Sequence, residues 1–259
     1  MNRVIGIAGT CLLLTACAGQ GLPGVQVGNI GGVNVDAAMG AAADLGKAAT
    51  LTEEEVKESS LQMRLYEEQS QEQVAPASSD YAKRLAKLTD KYRNYDGLDL
   101  NFKVYLSDSV NANATADGSV RVYTALMDMM DDEELLFVIG HEIGHVKNGH
   151  AAKEMRTALT LSAARKGAAA SGTVAGTLVA SELGGLLESV LNAQYSQSQE
   201  TESDDYGLQF MRKTGGSLKA AESALRKLAQ LSGGEHSMLS SHPDPEQRAD
   251  RMAQLAQRD

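Results

Sequence analysis

His141 and His145 stand four residues apart, with a glutamate beside the first, in the string His141-Glu142-Ile143-Gly144-His145. On an α-helix, side chains at i and i+4 share one face, one turn apart. Two imidazoles so placed can bind one Zn2+, and Glu142 then lies where it can take a proton from a water beside the metal. In a chain of this length and composition the string arises by accident with a probability of about 1%, so the metal reading leads. A catalytic zinc takes three protein ligands and keeps one position open, so a third ligand must come from elsewhere.

Downstream residues exclude one class of zinc site. The metzincin pattern needs glycine at 148 and histidine at 151, where Asn148 and Ala151 stand. His150 lies five residues past His145, roughly 140° round an ideal helix, and points away from the metal unless Gly149 breaks the helix first. It reads as a structural histidine, or one that supports a ligand from behind. Glu200 with Asp204 one turn later is a better source: glutamate can ligate, and an aspartate on the same face can orient a ligand histidine. Spacing alone leaves this open, because Glu202 and Asp205 lie close by and acidic helix faces are usually just solvated.

Three segments together resemble the family of zinc metallopeptidases (gluzincins) that includes the CAAX prenyl protease and HtpX. They are Val138 to Val146 around the two histidines, Gln199 to Gly207 around Glu200, and Ser241-His242-Pro243-Asp244-Pro245-Glu246-Gln247-Arg248. The stretch from Asn111 through Tyr123 to Met130 is similar to the small lipoprotein proteases of that family. The resemblance covers about residues 80–255. It implies a zincin-like fold, one Zn2+ per chain, ligands His141, His145 and Glu200, the base Glu142, and Asp204 behind a ligand. It further implies that His242 and Arg248 face the reaction, with His242 either binding substrate or capping the metal. Implied partners are unfolded or extended polypeptides, and envelope-assembly proteins. Two positions depart from the family pattern: Ser203 replaces the usual alanine, and Asn113 stands where an aromatic residue is common.

The elements that must position these residues are mostly helical. Thr52-Glu53-Glu54-Glu55 opens a helix to about Gln69, and Asp80 begins another after the break at Pro76 to Ser79. Leu98 to Leu106 alternates apolar and polar residues, as a strand does, and Val120 to Tyr123 is a second strand after a turn at Asp117-Gly118. Asp131 with Glu134 starts the helix that carries the histidines, with Leu135, Leu136, Ile139 and Ile143 as its buried face. Residues 151–199 suggest a loosely packed helical hairpin whose uncharged middle is too short to span a bilayer. Tyr195 to Arg212 forms the Glu200 helix, Ser217 caps another to Leu231, Gly233-Gly234 breaks the chain, and Pro243-Asp244-Pro245 starts a terminal helix to about Ala256. The expected class is α+β, mainly helical with a small sheet.

The N-terminus reads as an export signal. Residues 1–16 join one positive charge to a short apolar run and the small-residue site Leu14-Thr15-Ala16-Cys17, which resembles a bacterial lipobox. Cys17 is then the lipidated first residue, and Ala18 after it implies the outer membrane by the sorting rule of such proteins. Residues 17–48, rich in glycine and small residues, read as a flexible tether, and 49–259 as the metallopeptidase domain. The only other cysteine, Cys11, lies within the signal, so no disulfide is expected. A net charge of −10 argues against nucleic acid as a partner, so membrane attachment is left to the lipid.

Overall fold

The computed structural model describes residues 29–30, 33–70, 73–170, 194–231 and 238–257. The signal, Cys17 and the Gly233-Gly234 break lie outside them. Short strands β1 (Asn29–Ile30) and β2 (Val33–Asn34) pair antiparallel and lead into α1 (Val35–Thr50). This corrects the expectation of a flexible tether to residue 48. Asn34 caps the helix by accepting from the Ala37 N–H at 3.0 Å. The helix then packs along α6 (His150–Ala170), where Asp44 accepts from Ser162 at 2.6 Å and pairs with Lys166 at 2.8 Å. Alanine-rich segments favour helix intrinsically, and a partner helix supplies what their weak periodicity lacks.

Thr52 and Glu55 form the expected reciprocal cap at the start of α2 (Glu53–Ser70). Ser79 caps α3 (Asp80–Thr89) by accepting from Ala82. A three-stranded sheet follows, in the order β3 (Asn101–Tyr105), β5 (Ser119–Tyr123), β4 (Ala112–Ala114). β3 runs parallel to β5 and β4 antiparallel to it. The outer side of β3 is met by Val74, whereas among the described residues no strand pairs with the outer side of β4. One face carries Phe102, Val104, Ala112, Val120 and Val122 into the main core. The other is polar and lies under α2: Glu68 binds Lys103 at 2.6 Å and Arg121 at 2.8 Å, and Arg64 donates to Asn113 at 2.7 Å.

After α4 (Thr124–Met129), Asp131 and Glu134 form a capping box at the head of α5 (Asp132–Lys147). Every residue of α5 from Glu134 to His145 is buried, so the expected one-sided apolar face is replaced by burial all round. Its apolar residues meet the sheet and α8 (Lys219–Ala229), and its glycines meet α7 (Gln197–Thr214). A Cβ on Gly144 would lie 3.0 Å from Ser203 Cα and from Tyr206 Cβ, and one on Gly207 would lie 3.1 Å from the His141 nitrogen. That close approach brings α7 onto the histidine face.

Ser217 does not cap α8. α7 ends at Gly215 in a left-handed conformation, and the chain then turns so that the Ser217 N–H donates to Glu133 at 2.7 Å. The short helix α9 (Met238–Ser241) and α10 (Pro245–Ala256) complete the chain, with Pro245 in the first turn of α10. The hairpin expected over 151–199 is one helix, α6, as far as residue 170; 171–193 lie outside the described residues. Among the described residues no helix is long and apolar enough to cross a membrane.

Candidate metal centre

α5 sets His141 and His145 on one face, their Nε2 atoms 3.0 Å apart. α7 brings Glu200 against them, with Oε1 3.4 Å from His145 Nε2 and Oε2 3.7 Å from His141 Nε2. From the turn between α9 and α10, His242 adds Nδ1, 2.9 Å from Glu200 Oε1 and 3.3 Å from His141 Nε2. These four residues offer one ligand atom each, all within 4.8 Å of one another, and all four are buried. Glu142 Oε1 and Glu200 Oε2 are buried without a hydrogen bond. Two imidazoles, the Glu200 carboxylate and a buried Glu142 oxygen without a hydrogen bond, converging on one point, suit a zinc ion in chemistry and in number.

Asp204 accepts from His141 Nδ1 at 2.9 Å, which leaves the Nε2 lone pair turned toward the cluster. Arg248 in turn grips Asp204 with two bonds, Nε to Oδ2 at 2.9 Å and Nη2 to Oδ1 at 2.7 Å, and its Nη1 abuts Glu200 Oε2. Burial works against ionisation of Asp204, but Arg248 and His141 outweigh it and bring the pKa to about 2. The same contest, won by His242, His145 and His141, holds Glu200 far below the usual carboxylate range. Glu142 goes the other way: burial raises it, against the pull of His242 and His141. A carboxylate so raised suits proton transfer in both directions.

Two features went unread in the sequence, and the support expected of His150 where Gly149 ends the helix is present. His150 contacts His145, Nδ1 to Nδ1 at 2.9 Å, because Gly149 at φ +63° ends α5 and turns the chain back. Its other nitrogen meets Glu202 at 3.0 Å, so Glu202 is not simply a solvated charge. That hydrogen bond is the main cause lowering the Glu202 pKa, and burial lowers that of His150 despite Glu202. Tyr195 stacks on His145 with ring centroids 3.9 Å apart, and its N–H donates to Ser241 at 3.0 Å, beside His242. The glycine in Asn148-Gly149-His150 was the available signal for the His150 support.

The zinc peptidase pattern has a counterpart among known proteins. Peptidase family M48 matches residues 80–256. The chain belongs to this family. It is 39% identical over 248 residues to the metalloprotease YcaL of Escherichia coli (strain K12), covering 95% of this chain and 93% of that one. It is 43% identical over 205 residues to the metalloprotease LoiP of the same organism, covering 78% and 81%. It is also similar to the beta-barrel assembly-enhancing protease of Yersinia pestis, at 32% identity over 160 residues, 57% of this chain and 33% of that one. This M48 peptidase is therefore a zinc-dependent metalloendopeptidase on a mainly helical α+β fold.

Proposed function

We propose that this chain is a lipid-anchored endopeptidase of the bacterial cell envelope, facing the periplasm from the outer membrane, that degrades misfolded or unassembled envelope proteins. In this reading His141, His145 and Glu200 hold zinc. The observation that carries it is the convergence of their ligand atoms beside a buried Glu142 whose Oε1 has no hydrogen bond. Bound zinc supplies Lewis acidity to the attacking water and the scissile carbonyl. Glu142 takes the proton of that water and delivers it to the leaving amine. Asp204 keeps the His141 lone pair on the metal side. Arg248 serves by holding Asp204 and Glu200, whose carboxylates engage its nitrogens.

Among the described residues no strand pairs with the outer side of β4, which offers an extended polypeptide backbone a strand to join. Such pairing reads backbone more than side chains and suits unfolded substrates. The lipobox-like Leu14-Thr15-Ala16-Cys17 supports the anchor, and the similarity to beta-barrel assembly-enhancing proteases supports the envelope-assembly setting. Digestion of an unfolded protein such as casein, with and without chelator, tests the reaction. Glu142→Gln should retain one zinc per chain and lose about 10²- to 10⁴-fold in rate. A fully active variant removes Glu142 from the role.

The position of His242 favours a second reading, a closed four-ligand zinc in a chaperone-like assembly lipoprotein. His242→Ala separates the two. A capped peptidase gains casein cleavage when the histidine is removed, whereas a structural zinc loses stability and gains no activity.

A further inference from the structure

His145 faces the cluster with Nε2, and its Nδ1 lies 2.9 Å from His150 Nδ1. Two nitrogens at that distance share one proton, and the geometry of the pair alone does not say whose it is. Glu202 decides it. Its carboxylate can only accept, and it lies 3.0 Å from His150 Nε2, so that nitrogen carries the N–H. A neutral imidazole has one N–H, so His150 Nδ1 is then an acceptor. The proton between the rings belongs to His145 Nδ1, and the His145 Nε2 lone pair faces the metal position. Ser203 Oγ, 3.4 Å from His150 Nδ1, is a hydroxyl that can rotate to donate to the same lone pair. Lys153, 3.6 Å from Glu202 Oε2, keeps the charge of Glu202 beside the chain of bonds.

We infer that His150 and Glu202 are positioning residues: together they fix the tautomer and ring orientation in which His145 binds zinc. This rests on His145 being a ligand, as proposed above. The arrangement parallels that at His141, where Asp204 accepts directly, with a histidine interposed because Glu202 sits at the surface. The four supporting residues, His150, Lys153, Glu202 and Ser203, all come from α6 and α7. Reversing the order would place a lone pair of His150 against a carboxylate and a proton of His145 against the metal.

Titration of the metal-stripped full chain with Zn2+ alone, against a chromophoric chelator, tests the inference. His150→Leu should weaken zinc binding by about 10- to 100-fold, the usual cost of losing such a support. His150→Asn places an amide oxygen where Nδ1 stood, can accept from His145, and should bind within about threefold of the unaltered chain. A structural role for His150 would leave both variants equally weak. Glu202→Ala, at a half-exposed position that tolerates truncation, should also weaken zinc binding, and it keeps the test open if His150→Leu does not fold. Equal affinity of His150→Leu or Glu202→Ala with the unaltered chain overturns the inference, as does failure of the asparagine to restore it. His145→Ala is the control: if it too retains zinc, the ligand assignment has failed and not merely its support.

Discussion

Gly144→Ala tests whether the metal site depends on the close approach of two helices. The added methyl would meet Ser203 Cα and Tyr206 Cβ at 3.0 Å and the Ser203 carbonyl oxygen at 3.1 Å. Carbon atoms pack at about 3.5–4.0 Å, so α7 must move from α5 by about 0.5–1 Å. Two of the three atoms are backbone and the third is a Cβ, so no side-chain rotation relieves the contact. Overpacking of this kind costs about 1–3 kcal/mol, offset by about 1 kcal/mol because alanine favours helix over glycine. The net expectation is a loss of about 0–2 kcal/mol in urea unfolding of the metal-free protein. Gly46→Ala in α1, whose methyl would meet nothing within 4 Å, is the matched control and should gain about 0.5–1 kcal/mol. The two variants should therefore differ by about 1–3 kcal/mol. Zinc affinity should fall about tenfold or more for Gly144→Ala, because binding constellations tolerate only about 0.5 Å of displacement. The reasoning is refuted if Gly144→Ala is as stable as Gly46→Ala, or if it unfolds earlier yet holds zinc unchanged.

Glu134 gives a pH test away from the metal. Burial raises its pKa, but Lys227, Ser223 and the Asp131 N–H together bring it below the ordinary value. A depressed carboxylate stabilises the fold above its unfolded pKa of about 4.3, and that contribution disappears as the pH falls through the lower folded value. Acid unfolding monitored by circular dichroism should be less steep in Glu134→Gln below about pH 4.3, and an unchanged slope counts against the network. Removing zinc with a chelator should lower the melting temperature in calorimetry, since a ligand at about 1,000 times its Kd adds about 4 kcal/mol. In His145→Ala the same chelator should produce little further shift.

The parts of the site legible in the sequence were those written in helical spacing. His141 with His145 and Asp131 with Glu134 are such pairs, where distance along the chain translates directly into distance in space; spacing left Glu200 with Asp204 open, and the family resemblance singled them out. Supports that cross between elements were harder to read. Gly149 reverses the direction of the chain, so His150 returns to His145 although an ideal helix would carry it away. Arg64 and Arg121 are buried, with Glu68 beside Arg121, only because α2 packs on the sheet. The helix at 35–50 was missed because its small residues carry no strong period of their own; α6 selects its face.

The strand pair beginning at Asn29 would also limit how far a lipid-anchored enzyme could roam. With a lipid on Cys17, only residues 18–28 would separate the bilayer from the strand pair, a length of chain that spans at most about 40 Å. The metal site would then patrol a thin shell above one membrane. Polypeptides emerging at that membrane would meet it at high local concentration, while those elsewhere in the compartment would lie beyond its reach whatever their sequence. The length of the leash, as much as the metal site, would decide which proteins are cut.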